Sequence, residues 1–124
     1  MSMLRRSGAV LALILTAGIP AMTGLARAQT AAASPVAALR ELHVAERDLA
    51  HGRRIAAESW LERAETAVLN RRSELQGQSE SGPRVAALDH VVATIGEARM
   101  DARQGHLPQA GEKAAEARQA LRGA

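Results

Sequence analysis

The sequence predicts an all-α protein whose four helices form two antiparallel hairpins. Three observations lead to this prediction. Apolar residues recur at spacings of three and four over four segments, which places them on one face of a helix in each segment. A skeleton of one glycine followed by small or apolar residues occurs twice, 53 residues apart, which favours two copies of a helix–turn–helix unit. No stretch of useful length alternates apolar and polar residues as a strand would. The two copies are Gly52, Ala57, Leu61, Ala64 and Gly105, Ala110, Ala114, Ala117.

The N-terminal 28 residues have the pattern of a signal peptide. Arg5 and Arg6 give a basic start, residues 8–19 are apolar, and residues 26–28 have the small-x-small form of a signal-peptidase site. The apolar run is too short to span a bilayer as a stable helix. We therefore expect residues 1–28 to be removed and the mature protein to be periplasmic or secreted. An uncleaved membrane anchor is the alternative, and the paired arginines leave the twin-arginine export route open.

Charge and cysteine content exclude several classes of protein. The full chain has 16 basic and 13 acidic residues, but Arg5, Arg6 and Arg27 leave with the signal peptide and no acid does. The mature chain is therefore formally neutral, which argues against a nucleic-acid partner, because such a partner requires a clustered basic face. The absence of cysteine excludes a disulfide framework and a lipid anchor on cysteine.

The first hairpin is predicted over residues 34–72, after a disordered leader at 29–33. Ser34 is expected to cap its first helix and Pro35 to occupy the first helical position, where a missing N–H costs nothing. Gly52 fits the end of that helix, because glycine adopts the left-handed conformation at low cost. The second helix is expected to run from about Arg54 to Arg72 or Leu75.

A linker and a second hairpin complete the predicted domain. Residues 73–82 are polar and rich in glycine and serine, which is typical of a flexible linker. Pro83 then begins the third helix, which runs to Arg103, and the second hairpin extends over residues 83–122. Gly105 ends the third helix, and Pro108 begins the fourth. The helical domain as a whole is predicted over residues 34–124.

The two glycine skeletons resemble the turn and second helix of a tetratricopeptide repeat. In that family the small residues lie where paired helices cross closely. The first-helix signature of the family is absent, because Glu41, Val44, Ala45 and Asp48 stand in its place, and the interval of 53 residues exceeds the family's interval of about 34. The resemblance implies helical hairpins that bind a protein or peptide in a groove. An alanine-rich four-helix bundle, with glycines that serve only as turns, is the alternative.

Five residues are candidates for binding a partner. Trp60 is the only aromatic residue of the chain, and it either fills the core or anchors a partner; its position on the apolar face of Ala57, Leu61 and Ala64 favours the core. Arg53-Arg54 and Arg71-Arg72 bracket the second helix and could recognise an anion, together with Arg84 beyond the linker. Solvated helix ends are the alternative for these arginines.

No pattern in the sequence predicts catalysis, a cofactor or a metal site. The mature chain has no nucleophile in a known setting and no glycine-rich phosphate loop. The histidines show no metal-ligand spacing; they are His43, His51, His90 and His106. We therefore expect a non-catalytic periplasmic module that binds another protein or peptide, with oligomerisation possible. The alternative is a periplasmic stress protein that binds a metal or small ligand through histidines.

Overall fold

The computed structural model describes residues 35–78 and 80–124, which form four α-helices. They are α1 (Pro35–Ala50), α2 (Arg54–Gln76), α3 (Gly82–Arg103) and α4 (Leu107–Gly123). Neither described range contains a strand, so the predicted all-α class with four helices is confirmed. The predicted signal peptide, the leader and the capping role of Ser34 lie outside the described residues.

The four helices close into a ring, in which each helix packs on the next and α4 packs on α1. Each helix therefore turns one face toward a shared core. About half of the buried apolar residues are alanines, and the largest side chains that are fully buried are Leu42, Leu61, Ile95, Val68 and Val91. Alanine allows helices to approach closely but buries few carbon atoms, so each contact contributes little to stability.

Both hairpin turns have the same geometry. Gly52 and Gly105 have φ values of 73° and 80°, as predicted for glycines that end a helix. In the first turn, the Arg53 N–H donates to the Asp48 carbonyl at 2.8 Å and the Gly52 N–H donates to the Leu49 carbonyl at 3.1 Å. Those two bonds define a Schellman motif, which satisfies carbonyls that the end of the helix leaves free.

The second turn repeats these bonds 53 residues later along the chain. There the His106 N–H donates to the Asp101 carbonyl at 2.8 Å, and the Gly105 N–H donates to the Ala102 carbonyl at 3.1 Å. The short turns bring consecutive helices together as antiparallel hairpins.

Helix α2 ends at Gln76, within one residue of the expected end at Leu75 and beyond the alternative end at Arg72. Residues 73–76 are therefore helical and do not belong to a linker. Leu75 is only 3% exposed, so burial of its side chain extends the helix through a polar sequence. The Ser73 hydroxyl donates to the Leu69 carbonyl one turn earlier, at 3.1 Å. The connection between the hairpins is thereby reduced to residues 77–81, of which Ser79 is outside the described residues. Helices α3 and α4 each begin one residue before the proline that was expected to start them.

Candidate interaction groove

A surface groove of about 510 Å³ lies where the end of α1 meets the start of α4. Its lining is mainly apolar or small: Glu46, Leu49, Ala50, Gly52, Leu107, Pro108 and Gly111. The turn at Gly52 ends α1 beside the groove, and α4 begins there with Leu107 and Pro108. A volume of several hundred Å³ is within the usual range of sites that bind a small molecule or a side chain.

The groove is open because two of its lining residues are small. Ala50 and Gly111 correspond, at the interval of 53 residues, to Arg103 and Glu58. At the α2–α3 interface the Arg103 Nε lies 3.6 Å from the Glu58 Oε1, and the Arg54 Nη1 donates to the Arg103 carbonyl at 3.3 Å. Long side chains thus occupy the corresponding region on that side of the ring, whereas the α1–α4 side has none at these positions.

Glu46 is the one ionisable residue in the lining, and its charge has a partner. The Arg118 guanidinium donates from Nε to the Glu46 Oε2 at 2.6 Å and from Nη2 to the Oε1 at 3.2 Å. Only 19% of the Glu46 side chain is exposed. A two-bond contact between arginine and carboxylate is a strong form of ion pair, so the groove offers a bound molecule little uncompensated charge.

Trp60 lies at the edge of the core and not at its centre. It is half-buried and packs against the core cluster, while the Arg63 guanidinium carbon lies 4.7 Å from the centroid of its ring. This distance permits a cation–π contact. Trp60 therefore contributes to packing from the edge of the core, whereas the largest side chains that are fully enclosed are Leu42 and Leu61.

The four candidate arginines on and beside α2 do not form one site. Arg53 and Arg54 lie at its start and Arg71 and Arg72 near its end, about 27 Å away by the rise of a helix. Each has an acceptor: Arg53 pairs with Asp48 at 3.1 Å, Arg54 donates to a carbonyl of α3, Arg71 pairs with Glu74 at 3.1 Å, and Arg72 pairs with Asp89.

Glu41 carries an unusual buried atom. Its Oε2 is buried and has no hydrogen-bond partner. Burial raises the pKa of the Glu41 carboxyl, and the nearby positive charge of Arg63 opposes this effect. The charged form of Glu41 thus destabilises the folded state.

The four histidines are all exposed and lie on different parts of the ring. The Nδ1 of His51 is 2.7 Å from the Arg47 carbonyl, which is a local contact at the end of α1. Among the described residues no three histidine, aspartate or glutamate side chains are grouped closely enough to hold a metal ion.

Sequence patterns did not predict a binding role for Ala50, Leu107, Pro108 or Gly111. The available signal was a difference between the two halves of the chain, since alanine and glycine stand where the other half has arginine and glutamate. That difference indicates a groove only once α1 is known to pack against α4.

The fold defines the class of this protein as an all-α, four-helix domain, which is compatible with paired helical hairpins. No protein-family model matches the chain. Comparison with curated proteins finds no significant match, and comparison with solved structures finds none either. Among the described residues, no helix has the length and apolar character needed to cross a bilayer.

Proposed function

We propose that this chain is a non-catalytic, exported interaction module that binds a short, uncharged apolar segment of another protein. The binding site is the groove between α1 and α4. The observation that carries this proposal is the difference between the two sides of the ring, because Ala50 and Gly111 line the groove where the α2–α3 side has the long charged pair Arg103 and Glu58. The export signal in the sequence supports a periplasmic or secreted location.

The chemistry of the lining supports an apolar and uncharged partner. Leu49, Leu107 and Pro108 offer apolar surface, and Gly52 and Gly111 allow a bound backbone to approach closely. Since Arg118 already compensates Glu46, a charged group that entered the groove would lose hydration without gaining a free counter-charge. A partner with one or two small or branched apolar side chains fits this lining best.

The matched turns support a common origin for the two hairpins. Equivalent Schellman bonds recur at the same interval as the glycine skeleton, so we infer that both hairpins descend from one helix–turn–helix unit. The skeleton resembles that of tetratricopeptide repeats, whose hairpins bind peptides, and this resemblance agrees with a binding role. In the closed ring, however, the proposed site lies on the outside of the α1–α4 interface.

A variant that fills the groove with an arginine and a glutamate, the residue types found at the α2–α3 interface, tests the proposal. The double variant Ala50→Arg/Gly111→Glu places at the α1–α4 interface the residue types that Arg103 and Glu58 supply at the α2–α3 interface. The space around Gly111 is open to a side chain, so the variant is expected to fold. The probe is a phage-displayed library of random peptides, selected on the wild-type protein.

Selected peptides are expected to be apolar and uncharged, and to bind the filled variant at least about tenfold more weakly, a loss of about 1.4 kcal/mol. The control is Ala86→Arg/Gln119→Glu, which makes the same change of charge at exposed positions outside the groove lining and should bind as the wild type does. Peptides that bind all three proteins equally, or that are strongly charged, would contradict the proposal.

The alternative function, metal or small-ligand binding through histidines, has its own test. Isothermal titration with Zn²⁺ and Cu²⁺ measures it directly. Binding that is lost in the double variant His51→Ala/His106→Ala would favour this alternative, whereas the peptide-binding proposal predicts that the variant retains full peptide affinity.

A further inference from the structure

Among the described residues, four ion pairs join the first hairpin to the second, and the two that are most shielded from water lie one at each interface. Glu46 of α1 pairs with Arg118 of α4 at 2.6 Å, and Glu65 of α2 pairs with Arg99 of α3 at 3.1 Å. All four side chains are mostly shielded from water, with exposed fractions between 19% and 24%. Partial burial reduces screening by salt, so these charges interact more strongly than an exposed pair does.

The two pairs are related by the same interval that relates the turns. Glu46 corresponds to Arg99, and Glu65 corresponds to Arg118. If the two hairpins exchanged places, each ion pair would coincide with the other pair. Each glutamate would then stand where an arginine had been, and each arginine where a glutamate had been. The first hairpin supplies glutamate at both matched positions, and the second supplies arginine at both.

The apolar surfaces of the two hairpins are alike at several matched positions. Both have alanine at three matched and fully buried positions: Ala45 and Ala98, Ala57 and Ala110, Ala64 and Ala117. Other matched core positions differ in size, as Leu61 and Ala114 do. Packing therefore distinguishes the two hairpins only in part, and it specifies a partner poorly where the surfaces are alike.

The charges add a second means of distinguishing the two hairpins. If the first hairpin packed in the same way against another first hairpin, Glu46 would face Glu65 at both interfaces. Two second hairpins would place Arg99 against Arg118. Facing like charges in a partly desolvated interface suppress a wrong partner, and facing opposite charges fix the correct one.

We propose that positions 46, 65, 99 and 118 form a charge code for hairpin pairing. The surface of α1 and α2 accepts a hairpin that carries arginine at both matched positions, which is α3–α4 of the same chain or of a second copy. It rejects another α1–α2 hairpin. The four charges also set the register of the interface. Glu46 meets Arg118 and Glu65 meets Arg99 only when the two hairpins are aligned as observed.

Two double variants of the full chain test this proposal. Glu65→Arg/Arg99→Glu reverses one pair and keeps both interfaces complementary. Glu65→Arg/Arg118→Glu makes the same types of substitution with the same net charge, but it places like charges at both interfaces. We expect the first to melt within about 3 °C of the wild type, and the second to melt at least about 5 °C below the first.

A quadruple variant completes the test in case the mismatched protein does not fold. Glu46→Arg/Glu65→Arg/Arg99→Glu/Arg118→Glu contains both mismatched substitutions but restores opposite charges at both interfaces. It is expected to fold and to melt close to the matched variant. Equal midpoints for the matched and mismatched proteins would overturn the proposal, and so would a quadruple variant that is no more stable than the mismatched one.

Discussion

Replacing glycine with alanine should change the stability of this protein in opposite directions at two positions, according to the sign of φ alone. Gly52 has a φ of 73° at the end of α1, whereas Gly96 lies inside α3 with a φ outside the left-handed region. An added Cβ would meet no atom within 4 Å at either position. Steric contact with the rest of the protein therefore does not enter the comparison.

The backbone conformation of each glycine sets the expected change in the free energy of unfolding. At Gly52 a Cβ in the left-handed region costs about 1–2 kcal/mol, and the reduced freedom of the unfolded chain returns about 0.4–1 kcal/mol. Gly52→Ala should thus lower the free energy of unfolding by about 1 kcal/mol. Gly96→Ala should raise it by about 0.8–1 kcal/mol, because alanine is favoured in a helix interior. In a domain of this size each change moves the melting midpoint by about 4–8 °C.

Thermal unfolding followed by far-ultraviolet circular dichroism measures both shifts. Gly105→Ala provides a replicate of the first variant, since Gly105 ends α3 with a φ of 80°. The reasoning would be refuted if Gly52→Ala and Gly105→Ala raised the midpoint as Gly96→Ala does.

Three further predictions concern stability, pH and export. Trp60→Ala should lower the free energy of unfolding by about 2–3 kcal/mol, below the ~3–5 kcal/mol typical of an enclosed aromatic residue, because Trp60 is only half-buried. Urea unfolding measures this change, with Leu61→Ala as the fully buried control. Complete unfolding of the tryptophan variant would contradict the prediction. Glu41→Gln should stabilise the protein at neutral pH, because burial raises the pKa of Glu41; the advantage should shrink as the pH falls through that raised pKa, since the wild-type carboxyl is then protonated in the folded state. An advantage that persisted unchanged in acid would contradict this assignment. Intact-mass measurement of the exported protein should give a chain that begins at Gln29, and retention of residues 1–28 would show that the signal is not cleaved.

The fold was predictable because its signals are local. Proline at helix starts, glycine after helix ends and apolar residues at spacings of three and four predicted four helices and the positive φ of both turn glycines. The sequence left the end of α2 open between Arg72 and Leu75, and the assignment of residues 73–76 to a linker was wrong. Ser73 and the polar residues around it have the composition of a linker, and the burial of Leu75 against the core outweighs that local preference. Such a contact depends on the position of other helices and leaves no local pattern.

The candidate groove was less predictable, because it results from the absence of side chains. Ala50 and Gly111 are ordinary residues in an alanine-rich helical sequence, and neither attracts attention by itself. Trp60 and the arginines beside α2 stand out by residue type, yet Trp60 packs at the edge of the core and the arginines pair with other side chains or with carbonyls of the same domain. Comparison of the two halves identifies the unusual positions, but the closure of α1 on α4 is needed to place them together.

The α1–α4 interface should also be the weaker side of the ring. Among the described residues one ion pair crosses it, Glu46–Arg118, whereas three cross the α2–α3 interface: Glu65–Arg99, Glu58–Arg103 and Arg72–Asp89. The short connection at residues 77–81 further holds α2 next to α3, and within residues 35–124 no comparable segment joins α1 to α4. A partner bound in the groove would contact both α1 and α4. It would therefore stabilise the interface between hairpins that has fewer ion pairs and no short connecting segment. Binding to the folded state raises stability by mass action, so a peptide that occupies the groove should raise the melting midpoint of the whole domain.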